Sequence, residues 1–272
     1  MGKEQPDGLL EVNGTQLYHE VRGSGPPVVL IPGGTGDAGQ FEQVAESLAD
    51  QFTVLTYDRR GNSRSPLPQD WDETSTEEQA DDAAGLVEAL ELAPAIVFGT
   101  SSGAVIGLDL IIRRPEVLRG AILHEPLLKA ALAQPEEVMG PLWKIIEGGM
   151  EKGGPPAAVE AFVRSYIRDE TFENLDPDLR ERMLGNGEVL FDIEFEPLTS
   201  YHPNEDALAA AEVPVRVMVS TNSFPYFGET VRWLAERLDA EVNELPGGHA
   251  PYLDRPEDVA EAIRPFLSQL TK

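Results

Sequence analysis

The chain has 272 residues, of which 41% are hydrophobic and 25% charged, enough for a full apolar core in one large α/β domain or two small ones and unlike a disordered or fibrous chain. Lys and Arg number 21 against 48 Asp and Glu, and the formal charge of −27 argues against partners held by cation–phosphate contacts, nucleic acid and anionic membranes among them. With 0 cysteines, disulfides, thiolate metal sites and a cysteine nucleophile are excluded.

The opening reads as a hairpin: residues 9–12 and 16–21 flank Asn13-Gly14, a pair suited to positive φ at both turn positions. Residues 27–31 form an unbroken apolar run, the pattern of a strand buried on both faces, and run into Pro32-Gly33-Gly34-Thr35-Gly36. Phe41, Val44, Ala45 and Leu48 recur at helical spacing, and residues 52–57 supply a fourth strand ending at Asp58. Ser75-Thr76-Glu77-Glu78 has the form of a capping box before a helix whose face carries Ala80, Ala83, Ala84, Val87 and Leu90. Its acidic pairs Glu77/Glu78 and Asp81/Asp82 are expected on a solvated face.

Residues 95–98 form a fifth strand that runs through Gly99-Thr100-Ser101-Ser102-Gly103 straight into an apolar helix over 104–112. A sixth strand over 120–123 ends in His124-Glu125-Pro126, where proline stops the pairing. From 127 to about 212 the pattern is helical, broken by Gly148, Gly149, Gly153 and Gly154 and by several prolines, and is expected to be an inserted cap. Strands over 213–219 and 241–245 and helices over 229–238 and 256–270 complete the chain. Strands alternating with helices imply right-handed crossovers and a doubly wound, mostly parallel sheet of the α/β class. The expected division is a core of residues 1–128 and 212–272 with a cap of 129–211. The opening residues carry no apolar run of signal-peptide length, and no stretch of about 18 apolar residues occurs, so a cytoplasmic protein is expected.

Gly99–Gly103 fits G-x-S-x-G, and it stands where that motif has meaning, between a buried strand and a helix. Ser101 occupies its strained centre, and Ser102 is read as an amide donor. A serine hydroxyl needs an imidazole to take its proton. Of the 4 histidines, His19 and His124 lie in or at the end of strands and read as packing residues. His202 ends the cap, with substrate contact and plain surface placement both open. His249 follows two glycines after the last strand and is the candidate base.

The order Pro-Gly-Gly after strand three, G-x-S-x-G after strand five, a cap insertion and Gly-Gly-His-Ala-Pro-Tyr-Leu before the last helix resembles the α/β-hydrolase superfamily over nearly the whole chain. The resemblance implies an eight-stranded sheet, Ser101 as nucleophile, His249 as general base, and the amides of Gly34 and Ser102 as the oxyanion hole. Most members carry an Asp just beyond strand seven, but here that stretch reads Ser220-Thr-Asn-Ser-Phe-Pro-Tyr226. Glu125, after strand six, is the candidate acid. Haloalkane dehalogenases and zearalenone lactone hydrolases show a similar arrangement. Dehalogenases and epoxide hydrolases use an Asp nucleophile, so a serine leaves acyl transfer to water. The expected activity is hydrolysis of a carboxylic ester or lactone of a hydrophobic small molecule, a macrolactone included. An apolar, roomy pocket is expected, with Trp143, Tyr166, Phe191 and His202 as its cap contacts. No metal-ligand cluster or dinucleotide fingerprint is present, so no metal or cofactor is expected. Two other readings of the same scaffold are a ligand-binding receptor and a cofactor-free oxygenase.

Overall fold

The structure, a computed structural model, describes residues 7–271. In chain order its elements begin with β1 (Gly8–Val12), β2 (Thr15–Arg22), β3 (Pro27–Ile31), α1 (Glu42–Leu48), β4 (Thr53–Tyr57) and α2 (Thr76–Ala89). There follow β5 (Ala95–Thr100), α3 (Ser102–Arg113) and β6 (Leu118–His124). The insertion then supplies α4 (Pro135–Tyr166), α5 (Asp169–Glu173), α6 (Pro177–Gly185), a π-helical turn (Val189–Glu194), α7 (Phe195–Thr199) and α8 (Glu205–Ala209). The core resumes with β7 (Val215–Ser220), α9 (Pro225–Leu238), β8 (Glu241–Leu245), α10 (Pro251–Asp254) and α11 (Pro256–Leu270).

The eight strands form one sheet in the order β1-β2-β4-β3-β5-β6-β7-β8. β1 and β2 are antiparallel, as are β2 and β4, and all later pairings are parallel. Val12 pairs with Thr15, so Asn13 and Gly14 alone make the first turn, with φ of 45° and 72°. Successive side chains of a strand point to opposite faces. Val29, Ile31, Val97 and Leu123 therefore pack toward α2, α3 and α9, while Val28, Leu30, Ile96, Phe98 and Ile122 pack toward α1 and α11. The ends of β3, β5, β6, β7 and β8 open on one edge of the sheet, where ligands of such sheets are bound.

The cap has its own apolar cluster, in which Met139, Leu142, Val159, Val163, Phe172, Met183 and Phe191 are buried together. Most of the aromatic and aliphatic residues of the insertion are core, as their helical spacing implies. Gly148 and Gly149 stay helical, and the chain breaks only at Gly153 and Gly154, the latter with φ of 71° and followed by two prolines. Toward its end the insertion returns to the core: Leu198 of α7 and Leu208 of α8 are buried in the cluster around α3.

Two expectations for α2 are corrected. Ser75 does cap it, accepting from the Glu78 amide at 3.1 Å, but the Glu78 carboxylate accepts from Trp71 Nε1 (2.9 Å) and Thr74 Oγ1 (2.8 Å) instead of reaching back to close a capping box. The face is not wholly solvated either. Asp82 is buried, because Arg60 donates to it at 2.6 and 2.8 Å and Asn13 Nδ2 at 2.8 Å.

Candidate active site

Ser101 stands between β5 and α3 with φ of 53° and ψ of −123°, a region costly for a residue with a Cβ. The surroundings enforce it. Ser101 N–H donates to the carbonyl of His124 at 2.9 Å. The flanking glycines allow strand, turn and helix to touch: a Cβ on Gly99 would lie 2.3 Å from the Gly103 oxygen, and one on Gly103 would lie 2.2 Å from the Ile31 oxygen. Only glycine fits at either place. Ser102 opens α3, where its backbone N–H is among those with no partner inside the helix. Its hydroxyl is buried and unpaired.

Glu125 follows β6 with φ of 45°, and its side chain is fully buried. Its Oε1 accepts from the Ser220 amide at 2.6 Å, and its Oε2 accepts from Ser223 Oγ at 2.8 Å and faces His249 Nδ1 at 2.6 Å. Burial pushes this carboxyl up. The hydrogen bond and charge of His249, with the Ser220 amide, outweigh burial and hold it below the usual glutamate range. Residues 220 and 223 lie in the stretch at the end of β7 that holds no carboxylate, and there the Ser220 amide and the Ser223 hydroxyl receive a carboxylate that arrives from the neighbouring strand. Sequence reasoning found the empty position but not these donors.

His249 is 6% exposed and lies in an aromatic bed. Phe227 stacks on it with centroids 4.1 Å apart and planes at 5°, and Tyr166 packs at 4.8 Å. Held by Glu125 at Nδ1, the ring leaves Nε2 for another partner. Ser101 and His249 line one cavity, together with Gly34, Thr35, Phe162, Tyr166 and Met183. Ser101 Oγ and the ring are not hydrogen-bonded in this state, a bond that commonly tightens only when substrate arrives. His124 behaves as its strand position implies. It is fully buried between Thr100 Oγ1 and Ser220 Oγ, each 2.9 Å away, and burial drives its pKa down to about 4, so it is neutral.

A second cavity touches Gly34, Ser101 and Ser102 and is closed by Leu127, Leu190, Phe195 and Leu198. The two volumes are about 30 and 40 Å³, room for a few water-sized groups each. The space at Ser101 is thus apolar but not roomy, with Leu190 of the π-helical turn and Phe195 of α7 lining one of the two cavities. Tyr166 lines both cavities. The other three expected cap contacts lie away from these two cavities. Trp143 packs edge-on behind Phe195 at 5.1 Å, Phe191 stands behind Phe162 at 5.8 Å, and neither lines the cavities around Ser101. His202 is exposed and lines neither. Phe162, Leu190 and Phe195 take their places, chosen by helix rotation and a π-turn that hydrophobic spacing does not reveal. No three His, Cys, Asp or Glu side chains among the described residues gather as metal ligands.

Residues 28–262 match the model of the alpha/beta hydrolase family. The chain belongs to that family. Its similarity extends to the uncharacterized hydrolase YraK of Bacillus subtilis (strain 168), 36% identical over 278 residues that cover 98% of this chain and 97% of that one. A zearalenone hydrolase of Bionectria ochroleuca is 27% identical over 261 residues, 92% of this chain and 93% of that protein. Among solved structures, the enol-lactonase of Burkholderia xenovorans LB400 superposes with a TM-score of 0.79 at 22% identity, over 96% of this chain and 99% of that one. At that identity the likeness speaks to the fold. The family hit and these relatives make the chain an α/β hydrolase, and no helix among its described residues is long and apolar enough to cross a membrane.

Proposed function

We propose that this hydrolase cleaves carboxylic esters or lactones of compact hydrophobic molecules through an acyl-enzyme on Ser101. The observation that carries the reading is the buried Glu125–His249 pair, 2.6 Å apart, facing a cavity that Ser101 enters on its strained turn. Glu125 holds the Nδ1–H tautomer, so Nε2 takes the proton of Ser101 Oγ as that oxygen attacks the acyl carbon. The carbonyl oxygen becomes an oxyanion, with the amides of Gly34 and Ser102 as its donors, each worth roughly 3 kcal/mol. His249 returns the proton to the departing alkoxide, and the serine ester remains. Water, deprotonated by the same imidazole, attacks that ester, and the collapse of the second tetrahedral intermediate restores the serine and releases the acid.

The small, apolar volume beside Ser101 favours short acyl groups. The zearalenone hydrolase among the relatives supports lactones as a class, and a macrolactone ring would enter only with the cap displaced. The test is a panel of p-nitrophenyl esters of rising acyl length and of lactones of rising ring size. Turnover is expected for the short esters and small lactones, with Ser101→Ala at the background rate. Absence of hydrolysis across the panel, or full activity in Ser101→Ala, refutes the reading.

A further inference from the structure

Arg59 and Glu194 are both fully buried and come from opposite sides of the cleft, Arg59 from the loop after β4 and Glu194 from the end of the cap's π-helical turn. They form a two-pronged pair, Nη1 to Oε1 and Nη2 to Oε2, each 2.8 Å. Asn62 Nδ2 at 2.9 Å and Gln79 Nε2 at 3.3 Å donate to the same carboxylate. A buried ion pair is a poor source of net stability, since desolvation consumes most of the attraction. Its placement points elsewhere.

Arg59 Nη2 also donates to the carbonyl oxygen of Gly33 at 3.1 Å. That carbonyl and the N–H of Gly34 belong to one planar trans peptide, so they point in opposite directions and neither can turn without the other. A hold on Gly33 O is therefore a hold on the direction of the Gly34 N–H. Gly36 N–H donates to the same oxygen at 3.2 Å, and on the far side of Gly34 the cap residue Asn186 donates from Nδ2 to the carbonyl of Thr35. The cap thus grips the loop on both sides of Gly34, through Asn186 at the end of α6 and, by way of Arg59, through Glu194 at the end of the π-helical turn, while Glu194 itself borders the cavity at Ser101.

We infer that the Glu194–Arg59 pair positions the oxyanion amide of Gly34, and that this hold is complete only with the cap in place. The inference rests on the serine-hydrolase reading above. Displacing the cap removes Glu194, takes the counter-charge and the fixed fork partner from the Arg59 guanidinium, and loosens its hold on the Gly33 carbonyl, which then keeps the Gly36 N–H as its firm donor. Closure over a substrate would then complete the oxyanion hole, so that substrate enclosure and transition-state stabilisation arrive together.

Glu194→Gln and Arg59→Lys in the full chain test this with steady-state kinetics on p-nitrophenyl acetate and inhibition by a boronic acid, whose tetrahedral adduct with serine places an oxygen in the hole. Glu194→Gln is expected to lower kcat about 10- to 100-fold, with KM within about twofold and boronate affinity reduced by the same factor as kcat. Arg59→Lys keeps the charge but not the fork, and is expected to fall between this variant and wild type. Should Glu194→Gln fail to fold by circular dichroism, Arg59→Lys carries the same readout. A kcat within twofold of wild type, or a loss confined to KM with boronate affinity intact, would show a mere structural tie and overturn the inference. An inactive wild type would overturn both this inference and the reading beneath it. An active wild type with unaffected variants overturns the inference alone.

Discussion

Replacing Glu125 by Gln changes one atom and reverses the hydrogen-bonding sense of one corner of the site. The carboxylate accepts from three donors, the Ser220 amide and His249 Nδ1 at 2.6 Å and Ser223 Oγ at 2.8 Å. A glutamine has one acceptor oxygen, and the fixed backbone N–H of Ser220 claims it. The NH2 group then faces Ser223, whose hydroxyl can rotate to accept, and His249 Nδ1, which can accept only by giving up its proton. The proton moves to Nε2, the nitrogen meant to receive the proton of Ser101, and the imidazolium loses its buried counter-charge. The loss in kcat should be at least ~10²-fold and approach ~10⁴-fold, the latter about 5 kcal/mol of transition-state stabilisation. Folding should suffer far less, by about 1 kcal/mol, because each of the three groups keeps a hydrogen bond to the side chain, two of them with the direction reversed. The assay is kcat/KM on p-nitrophenyl acetate beside thermal unfolding, with 15N shifts of His249 reporting the tautomer. Activity within about tenfold of wild type, in a folded variant with the tautomer switched, would refute this reasoning and move the acid elsewhere.

Gly103→Ala would put a Cβ 2.2 Å from the Ile31 carbonyl oxygen, backbone against backbone. A loss of at least ~2 kcal/mol in chemical denaturation is expected, and an unchanged midpoint would mean that the elbow has slack the structure does not show. His124, with its pKa lowered to about 4 against about 6.5 in the unfolded chain, refuses a proton that the unfolded chain accepts. Stability should therefore fall with pH from about 6.5 toward 4, this residue contributing about 2 kcal/mol of the loss between pH 7 and 5. His124→Asn should lose that part of the pH dependence. An equal pH dependence in variant and wild type would contradict the assignment of a neutral, buried ring.

The sheet was legible because its strands are unbroken apolar runs, and Ser101 because glycines two residues to either side announce a turn that only they permit. The place of Glu125 beside His249 was legible by position, at the end of a strand next to the one that leads into Ser101, once the stretch after β7 proved to hold no carboxylate. What the chain did not disclose were pairings in which one partner looks ordinary. Ser220 and Ser223 read as loop residues until Glu125 reaches them. Asp82 reads as a surface acid and nothing in the sequence singles out Glu194, because a charge carries no local mark of the arginine that will bury it. The spacing shows a helical cap but not which residues face Ser101, and Trp143, Phe191 and His202 lie away from the two cavities there, since a π-turn and a break at Gly153 and Gly154 set which face each helix presents and neither follows from apolar spacing.

The most direct measurement is identification by mass spectrometry of the residue that a fluorophosphonate modifies, since that reagent reports an activated serine without reference to substrate. Stoichiometric labelling of Ser101 is expected, absent in Ser101→Ala and slowed in His249→Ala by at least ~10²-fold. Label on a different side chain, or labelling of Ser101 at an unchanged rate without His249, would contradict a nucleophile activated by that imidazole.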